Sequence, residues 1–416
     1  SRALAAMGPD VVRIGAARSI QYALRDSVRG LPDIAIHRVD AEGKVTPLGQ
    51  LVPVRPQGFV MQQADGATVY SEGLPWWLLD MRPQGFLGRA FAARLATPLG
   101  LPPQLADWSD TQMLRALLLQ GQDAVGNLVL GNGARERLLD APVPAPIAAS
   151  AKEAAYVELA VEAASGGLPG SSAGGEQPKF AAFAQTPAGP RHVLVKFTLP
   201  EANPVTERWR DLLLAEHHAL ETLAASGVAA ARSCVVDAGN GQRFLEVERF
   251  DRVGGTGRRA VFSLASLDAE FVGNARAPWP DIVAQLASEG HATREAADGA
   301  ALLFAFGTLI GNTDMHNGNL SFTSANGQRP LALAPAYDML PMGFAPQASG
   351  GMADTLAPVR LHPAVGTGAW VQAADLARIF LDRVRGEPRF SAGFGRCIDN
   401  LARHIADAGG KIGRLG

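Results

Sequence analysis

Residues 311–320 have the sequence Gly311-Asn312-Thr313-Asp314-Met315-His316-Asn317-Gly318-Asn319-Leu320. They follow directly on the apolar end of a helix predicted over 294–310. Polar residues packed this densely after an apolar helix are costly unless water, a metal or a ligand satisfies them. In kinase-like phosphotransferases an aspartate orients or deprotonates the attacking hydroxyl, and an asparagine in the same loop reaches a magnesium ion. Asp314 and Asn319 fit this pair, although a polar turn capped by Asp314, with His316 in solvent, would explain the same residues.

A further acidic residue follows nineteen positions after Asn319, in the stretch Ala336-Tyr337-Asp338-Met339-Leu340-Pro341. A short apolar strand, predicted over 331–333, precedes it. A kinase places its second metal ligand on an aspartate in this position, downstream of the catalytic loop. Taken alone, Asp338 is equally well explained as a turn residue. The order Asp314, Asn319, Asp338 favours a magnesium site built from two carboxylates and one amide.

The segment Val193-Leu194-Val195-Lys196-Phe197 places a lysine within a strand of apolar residues. Kinases use such a strand lysine to hold nucleotide phosphates, and a glutamate on the next helix pairs with it. Glu216 is the candidate partner, and Glu207 on the same predicted helix is the alternative. Lys196 could instead be an edge-strand lysine that discourages aggregation.

A run of small residues, Gly170-Ser171-Ser172-Ala173-Gly174-Gly175-Glu176-Gln177-Pro178-Lys179, precedes this strand. Small residues let backbone N–H groups approach a phosphate closely. The run matches neither the Walker P-loop nor the GxGxxG pattern. It therefore indicates either a phosphate-binding loop or a flexible linker.

The chain has 416 residues, of which 47% are hydrophobic and 19% charged, and its formal net charge is −2. This length suggests roughly two or three domains, and the balanced charge argues against a nucleic-acid coat over the whole surface. The two cysteines, Cys234 and Cys397, exclude a disulfide-rich secreted protein and a four-cysteine zinc site. No apolar run approaches the ~20 residues of a membrane span. We therefore expect a cytoplasmic protein without a membrane partner.

The Pro/Ala-rich segment 141–146 predicts a linker and the best domain boundary. Near the start of the chain, residues 11–24 predict a hairpin with arginines at its tip. Residues 2–6, before the hairpin, fit the last turn of a helix. A helix followed by a basic hairpin is typical of the end of a winged helix that binds DNA, and an ordinary hairpin is the alternative. We predict four parts: a winged helix-turn-helix remnant (1–30), an α+β subdomain (31–150), a lobe with a small sheet and a phosphate loop (151–253), and a helical lobe (254–416).

The hydrophobic patterns predict the elements of the last two parts. The predicted strands are 179–183, 193–197, 234–236 and 244–250. The predicted helices are 152–164, 206–225, 281–288, 294–310, 373–385 and 393–408.

Taken together, these motifs resemble the HipA family, bacterial Ser/Thr protein kinases of type II toxin–antitoxin systems. The resemblance covers roughly residues 31–416. Its most specific parts are the run Glu248-Arg249-Phe250-Asp251-Arg252 and the Asp-x-His-x-x-Asn loop that starts at Asp314. It implies an α+β, two-lobed, protein-kinase-like fold with an N-terminal α+β subdomain and a largely helical C-lobe.

The resemblance also implies roles for individual residues. Asp314 matches the catalytic aspartate, and Asn319 and Asp338 match the magnesium ligands. Ser172 matches a serine that family members autophosphorylate, which ejects the phosphate loop and switches the kinase off. The remaining matches would bind ATP, through the phosphate loop, the strand lysine, the adenine hinge or the pocket wall: Ser172, Gly174, Gly175, Lys179, Lys196, Glu248, Phe250, His316 and Tyr337.

The implied activity is transfer of the ATP γ-phosphate, with Mg²⁺, to a serine or threonine of a protein, for which an aminoacyl-tRNA synthetase is the family's best-known substrate. Two features depart from the family pattern: Asn317-Gly318 stands where many members have a lysine, and residues 1–30 are extra. Some HipA-like proteins have a fused DNA-binding domain at this place, which puts a separate antitoxin partner in doubt. The alternatives are a small-molecule kinase and a DNA-binding regulator with a kinase-like sensor body.

Overall fold

The computed structural model describes residues 8–15, 20–165, 177–347 and 351–415. Within these residues the chain forms two compact units. The first contains the residues up to Pro144 together with 251–260, and the second contains 145–165, 177–250 and the residues from Val261 onward. The first division between them falls inside the Pro/Ala-rich segment.

An antiparallel sheet with strand order β6-β5-β4-β3-β7 is the centre of the first unit. Alternate side chains of its strands, such as Ile34, Ile36 and Leu51, are fully buried against Leu114 and its neighbours. The strands are β1 (Val11–Ile14), β2 (Gln21–Leu24), β3 (Ile34–Val39), β4 (Val45–Pro53), β5 (Phe59–Gln63), β6 (Thr68–Ser71) and β7 (Leu128–Leu130); the helices are α1 (Gly85–Leu99), α2 (Asp110–Gln120) and α3 (Asn132–Asp140).

The predicted N-terminal hairpin is present as the antiparallel pair β1–β2. Val12 of β1 is buried against Val52, Val54 and Val60 of the central sheet, so the hairpin packs onto this unit. Arg13 and Tyr22 form a cross-strand pair on its exposed face. The predicted arginine tip and the helix over 2–6 lie outside the described residues.

Residues 251–260 belong to the first unit because their charged side chains complete one of its loops. The Arg252 guanidinium donates to the carbonyls of Gly126 (3.0 Å) and Ala124 (2.9 Å) and pairs with Asp123 at 2.7 Å. Asp251 accepts a hydrogen bond from the Gly126 N–H. The segment contains the short strands β12 (Arg252–Val253) and β13 (Gly257–Arg258).

The second unit begins with an N-lobe, an antiparallel sheet with strand order β10-β11-β9-β8. Its elements are α4 (Lys152–Ala164), β8 (Lys179–Thr186), β9 (Gly189–Phe197), α5 (Pro204–Ala225), β10 (Ser233–Asp237) and β11 (Arg243–Glu248). These are the predicted elements with other bounds: β8 ends three residues later and β9 starts four residues earlier than predicted, and β11 ends two residues earlier. The predicted strand reaches Phe250, whereas β11 stops at Glu248, because the chain turns there into 251–260.

The C-lobe of the second unit is largely helical, as the sequence predicted. Its elements are β14 (Ala260–Ser263), α6 (Leu264–Leu267), α7 (Trp279–Ser288), α8 (Arg294–Ile310), β15 (Ser321–Ser324), β16 (Ala332–Leu333), α9 (Thr367–Gly386) and α10 (Gly395–Ile412). Helix α8 has the predicted bounds, since Thr293 caps its start and Gly311, with φ of 78°, ends it. Helix α9 starts six residues earlier than predicted. Among the described residues, no helix is both long enough and apolar enough to span a lipid bilayer.

A buried polar cluster anchors helix α4 to the N-lobe sheet. Lys152 Nζ lies 2.6 Å from the Glu246 carboxylate, and the Tyr156 hydroxyl donates to the same carboxylate at 2.5 Å. All three side chains are buried. Burial and the hydrogen bond to Glu246 raise the pKa of Tyr156 above its usual value, which keeps the hydroxyl protonated as a donor.

We predict that Glu246→Ala destabilises the second unit by about 3–5 kcal/mol, because it leaves Lys152 buried without its counter-charge. Equilibrium urea unfolding followed by circular dichroism would measure the loss. The matched control is Glu158→Ala, at an exposed position of helix α4, which contains Lys152. Equal stability of the two variants would contradict the assignment of this cluster as the anchor.

Candidate active site

Helix α8 delivers the loop 311–320 into the C-lobe, and two glycines make its close packing possible. A Cβ on Gly307 would come within 2.5 Å of the Met315 sulfur and 3.3 Å of the Met339 sulfur. Gly311 adopts the left-handed backbone conformation that reverses the chain at the helix end. The loop can therefore fold back against the helix that precedes it.

Asn312 connects the two predicted acidic positions of the site. Its side-chain oxygen accepts a hydrogen bond from the Asp314 N–H at 3.0 Å, and its Nδ2 donates to the Asp338 carbonyl at 3.3 Å. The residue is 5% exposed. Asn312 thus fixes the backbone of the loop relative to the backbone at Asp338.

Asp314 and Asn319 lie side by side in the loop. Asn319 Nδ2 donates to the Asp314 carbonyl at 2.8 Å and lies 3.5 Å from its carboxylate. The Asp314 side chain remains 51% exposed, so its carboxylate is accessible to a ligand. Because the amide nitrogen of Asn319 is engaged, its side-chain oxygen is the atom available to a cation.

Asp338 has a strained backbone. Its φ is 51°, and among the residues that the structure describes it is the only non-glycine with positive φ. Such conformations cost of the order of 1–3 kcal/mol and concentrate at active sites and ligand clamps. The backbone conformation of Asp338 is therefore a second indication of a functional role, independent of the sequence order.

Lys196 of β9 links the two lobes. Its Nζ lies 2.6 and 2.7 Å from the two carboxylate oxygens of Glu216 on α5, and it also forms an ion pair with Asp338. The predicted pairing with Glu216 is confirmed, whereas Glu207 is exposed on another part of the helix. The two carboxylates come from elements far apart in the sequence.

The charges of this cluster depend on one another. Burial alone would lower the pKa of Lys196, but Asp338 and Glu216 raise it above its usual value of 10.5. Burial would raise the pKa of Asp338, but Lys196 and Lys179 lower it below 3.8. Glu216 is fully buried, and burial raises its pKa in spite of Lys196. Lys196 and Asp338 are consequently both charged at neutral pH.

Lys179 is the cross-strand neighbour of Lys196 in the pair β8–β9. It is 4% exposed, and its charge acts on both Glu216 and Asp338. Two lysines therefore stand beside one another at the end of the sheet. This is a suitable place for an anionic ligand such as a phosphate.

The predicted hinge residues lie at the end of β11. The Glu248 N–H donates to the Arg232 carbonyl at 2.8 Å, and the Phe250 ring lies 5.6 Å from the Tyr337 ring. The Tyr337 hydroxyl donates to the Gly318 carbonyl at 2.8 Å and shares a second hydrogen bond with the Ser321 hydroxyl at 2.7 Å. The residues just after β11 and those just after β16 thus meet through Phe250 and Tyr337.

His316 stands beside Asp314 on the exposed side of the loop. Its Nε2 is 4.0 Å from the Asp314 carboxylate, and its Nδ1 accepts from the Gly318 N–H at 3.0 Å. A Cβ on Gly318 would come within 2.9 Å of the His316 ring. The departure from the family pattern at Gly318 therefore leaves room for this histidine.

The structure brings together most of the predicted site residues: Asp314, His316, Asn319, Tyr337, Asp338, Lys179, Lys196, Glu248 and Phe250. Ser172, Gly174 and Gly175 lie outside the described residues. Sequence reasoning gave Asn312 no role. The sequence feature that could have indicated a role for Asn312 is its position, as a polar residue directly after the glycine that ends a buried helix.

The donor set fits magnesium and a nucleotide. No group of three or more His, Cys, Asp or Glu side chains in the described part of the chain is placed to hold a metal alone. Mg²⁺ usually takes only one or two carboxylates from the protein and completes its shell with water and substrate phosphates. The Asp338 carboxylate and the side-chain oxygen of Asn319 have the chemistry of such ligands, and Lys196 and Lys179 are suited to the phosphates.

Comparisons with known proteins show the family of the chain. Residues 171–402 match the family model of the HipA-like C-terminal domain, and residues 31–139 match that of the YjjJ-like toxin middle domain. The chain is similar to toxin YjjJ of Escherichia coli strain K12, with 40% identity over 407 residues, 98% of this chain and 91% of the relative.

Among solved structures, HipA of Shewanella oneidensis MR-1, determined with HipB and its operator DNA, has a similar fold. The TM-score is 0.50 at 15% identity, and the match covers 92% of this chain and 97% of that one. This likeness bears on the fold alone. The match of more than half of the chain to the HipA-like model, together with the 40% identity to a toxin, shows that the chain belongs to the HipA family of toxins, with a kinase-like fold.

Proposed function

We propose that this protein is a Ser/Thr protein kinase that transfers the γ-phosphate of ATP, with Mg²⁺, to a hydroxyl group of a protein. The observation that carries the proposal is the convergence of Asp314, Asn319, Asp338 and Lys196 in one site. A protein that only sensed a ligand or bound DNA would not need all four groups. The strained backbone of Asp338 adds support, because strain persists where function requires it.

In this proposal Asp314 acts on the acceptor. Its exposed carboxylate accepts the hydrogen bond of a serine or threonine hydroxyl, orients the oxygen toward the γ-phosphorus and takes the proton. The new O–P bond forms as the bond from the γ-phosphorus to the bridging oxygen breaks, and ADP leaves. Asn319 holds the Asp314 backbone in place through its 2.8 Å hydrogen bond. The hydroxyl can approach because this part of the loop faces solvent.

Lys196 acts on the donor. Glu216 holds the ammonium group from the N-lobe side, so Lys196 can turn from Asp338 to phosphate oxygens when the nucleotide binds. Asp338 and Asn319 would hold Mg²⁺, which when bound neutralises negative charge on the transferred phosphoryl group. The adenine would lie at the hinge, where the Glu248 carbonyl and the Phe250 N–H offer an acceptor and a donor just at the end of β11.

The protein substrate is a further part of the proposal. The family resemblance suggests a translation factor such as an aminoacyl-tRNA synthetase, and site residues do not specify a protein target. The HipA relative was solved with HipB and operator DNA, so an antitoxin partner and DNA are proposed partners here too. For DNA, the exposed hairpin face at Arg13 is the proposed contact.

Asp314→Asn should lower phosphate transfer by ~10²- to 10⁴-fold, because a positioned acid–base group contributes this much. The fold should be unchanged, since the carboxylate is half exposed. Transfer from labelled ATP to protein acceptors, and in parallel to sugars and antibiotics, would measure the effect. Acceptance by small molecules alone would instead favour a small-molecule kinase.

The matched control is Asp298→Asn, an exposed aspartate on α8, the helix that leads into the loop. It should retain full activity. Full activity in Asp314→Asn as well would overturn the assignment of the catalytic residue.

Asp338→Asn should weaken the Mg²⁺-dependent binding and transfer of ATP by at least ~10-fold. Even residues that only support a metal ligand contribute ~10–100-fold to metal affinity or activity. Asparagine tolerates positive φ, so this variant keeps the backbone that alanine would strain. Isothermal titration of ATP at a series of Mg²⁺ concentrations gives the shift. An unchanged Mg²⁺ dependence would exclude Asp338 as a ligand.

Incubation with Mg²⁺ and ATP should add one phosphoryl group to Ser172, through the protein's own activity. Intact mass and phosphopeptide mapping, from a demonstrably unphosphorylated start, would detect it. Asp314→Asn and Ser172→Ala should both lack the gain. A gain at another site that persists in Ser172→Ala would reject the autophosphorylation site while leaving the kinase assignment intact.

A further inference from the structure

Helix α5 contains Glu216 of the site, and three other residues of the same helix form hydrogen bonds or ion pairs with the C-lobe. The first is Arg208, which is 6% exposed. Its guanidinium donates to the carbonyls of Phe344 (2.9 Å) and Ala353 (3.0 Å) and pairs with Asp354 at 2.7 Å. It also lies 5.6 Å from the centre of the Phe394 ring. The first turns of α5 are thereby attached to the C-lobe.

The second position is Asp211, which is 2% exposed. Its carboxylate accepts a hydrogen bond from the Ser391 N–H at 2.9 Å and another from the Ser391 hydroxyl at 2.6 Å. A buried carboxylate needs such partners, because leaving it unpaired is strongly unfavourable. Ser391 therefore fixes the place of Asp211.

The third position is His218, whose Nε2 lies 3.1 Å from the Glu387 carboxylate. Its ring is 6.1 Å from that of Phe390. Glu387 in turn accepts hydrogen bonds from Arg389, so the segment 387–391 after helix α9 is held in a defined shape. Asp354, Glu387 and Ser391 are together called the C-lobe clamp.

The clamp contacts one face of α5. Arg208, Asp211 and His218 are spaced i, i+3 and i+10, which places them along one stripe of a helix. At ~100° per residue Glu216 points more than about 90° away from the centre of this stripe, toward Lys196. The clamp thus fixes the rotation and tilt of the helix without touching Lys196.

We propose that the C-lobe clamp is a positioning device for phosphate transfer, and that Asp211 and Ser391 hold α5 in the orientation in which Glu216 binds Lys196. In protein kinases this ion pair must be in place for activity, and the position of the helix is what activation-loop phosphorylation controls. In this protein, side chains from the end of the C-lobe would set the position of the helix instead. The inference rests on the proposed kinase function.

Ser391→Asp is the test variant, because it places a second carboxylate against the buried Asp211. It should lower kcat by roughly 10-fold or more, near the upper end of the ~2- to 30-fold range for residues that act through others. Ser391→Ala should have a smaller effect, and Ser391→Thr, which keeps the hydroxyl, should restore activity. Ser288→Asp is the matched control, since Ser288 is exposed on α7 and its hydroxyl donates within its own helix.

The kcat of a double variant distinguishes this role from a general loss of stability. If Ser391 acts through Glu216, Ser391→Asp should cause little further loss of kcat in a Glu216→Gln background. The thermal midpoints of all variants are measured alongside. Additive losses in the double variant, or a loss that tracks the thermal midpoint alone, would overturn the proposal.

Amide hydrogen exchange in the full chain tests the clamp independently of activity. The amides of 212–222 should exchange at least ~10-fold faster in Ser391→Asp than in Ser288→Asp, because loosened elements open more often. Equal exchange in the two variants would overturn the clamp. If the wild-type protein transfers no phosphate, the proposed function fails, and the exchange experiment still decides whether Ser391 holds the helix.

Discussion

The buried ion pair between Lys196 and Glu216, extended to Asp338, is the interaction on which the rest of the second unit depends. An ammonium group taken out of water is tolerated only with close counter-charges, and here they come from α5 and from the C-lobe loop. The N-lobe sheet, the long helix and the C-lobe must therefore meet at one point. Removing Lys196 would leave two carboxylates without the ammonium group that both of them contact.

The loop 311–320 and the clamp show two ways of holding a site rigid. In the loop, Asn312 and Asn319 tie backbone groups together, and Gly307 and Gly311 allow the close approach. At the clamp, Arg208 and Asp211 of α5 contact Asp354 and Ser391 of the C-lobe. The first arrangement holds the backbone at Asp338, and the second holds the helix that contains Glu216.

Much of this could be predicted from the sequence, because the strongest signals are local. The period of apolar residues predicts both ends of helix 294–310, and the order of Asp314, Asn319 and Asp338 indicates a kinase-like loop. The weakest predictions are at ends of elements, such as the strand predicted to reach Phe250. It ends earlier because the following segment completes a distant loop through Arg252, which a local pattern does not contain.

The sequence by itself determined the class of fold, the family and the chemical types gathered at the site, since each depends on short motifs and on periodic burial. Tertiary structure alone decided that Glu216 rather than Glu207 pairs with Lys196, that Asp338 joins the same ammonium group, and that Asp211 binds Ser391, 180 residues away. Two glutamates on one helix are equivalent in a sequence. Which of them is buried depends on the rotation of the helix, and packing against the C-lobe sets that rotation.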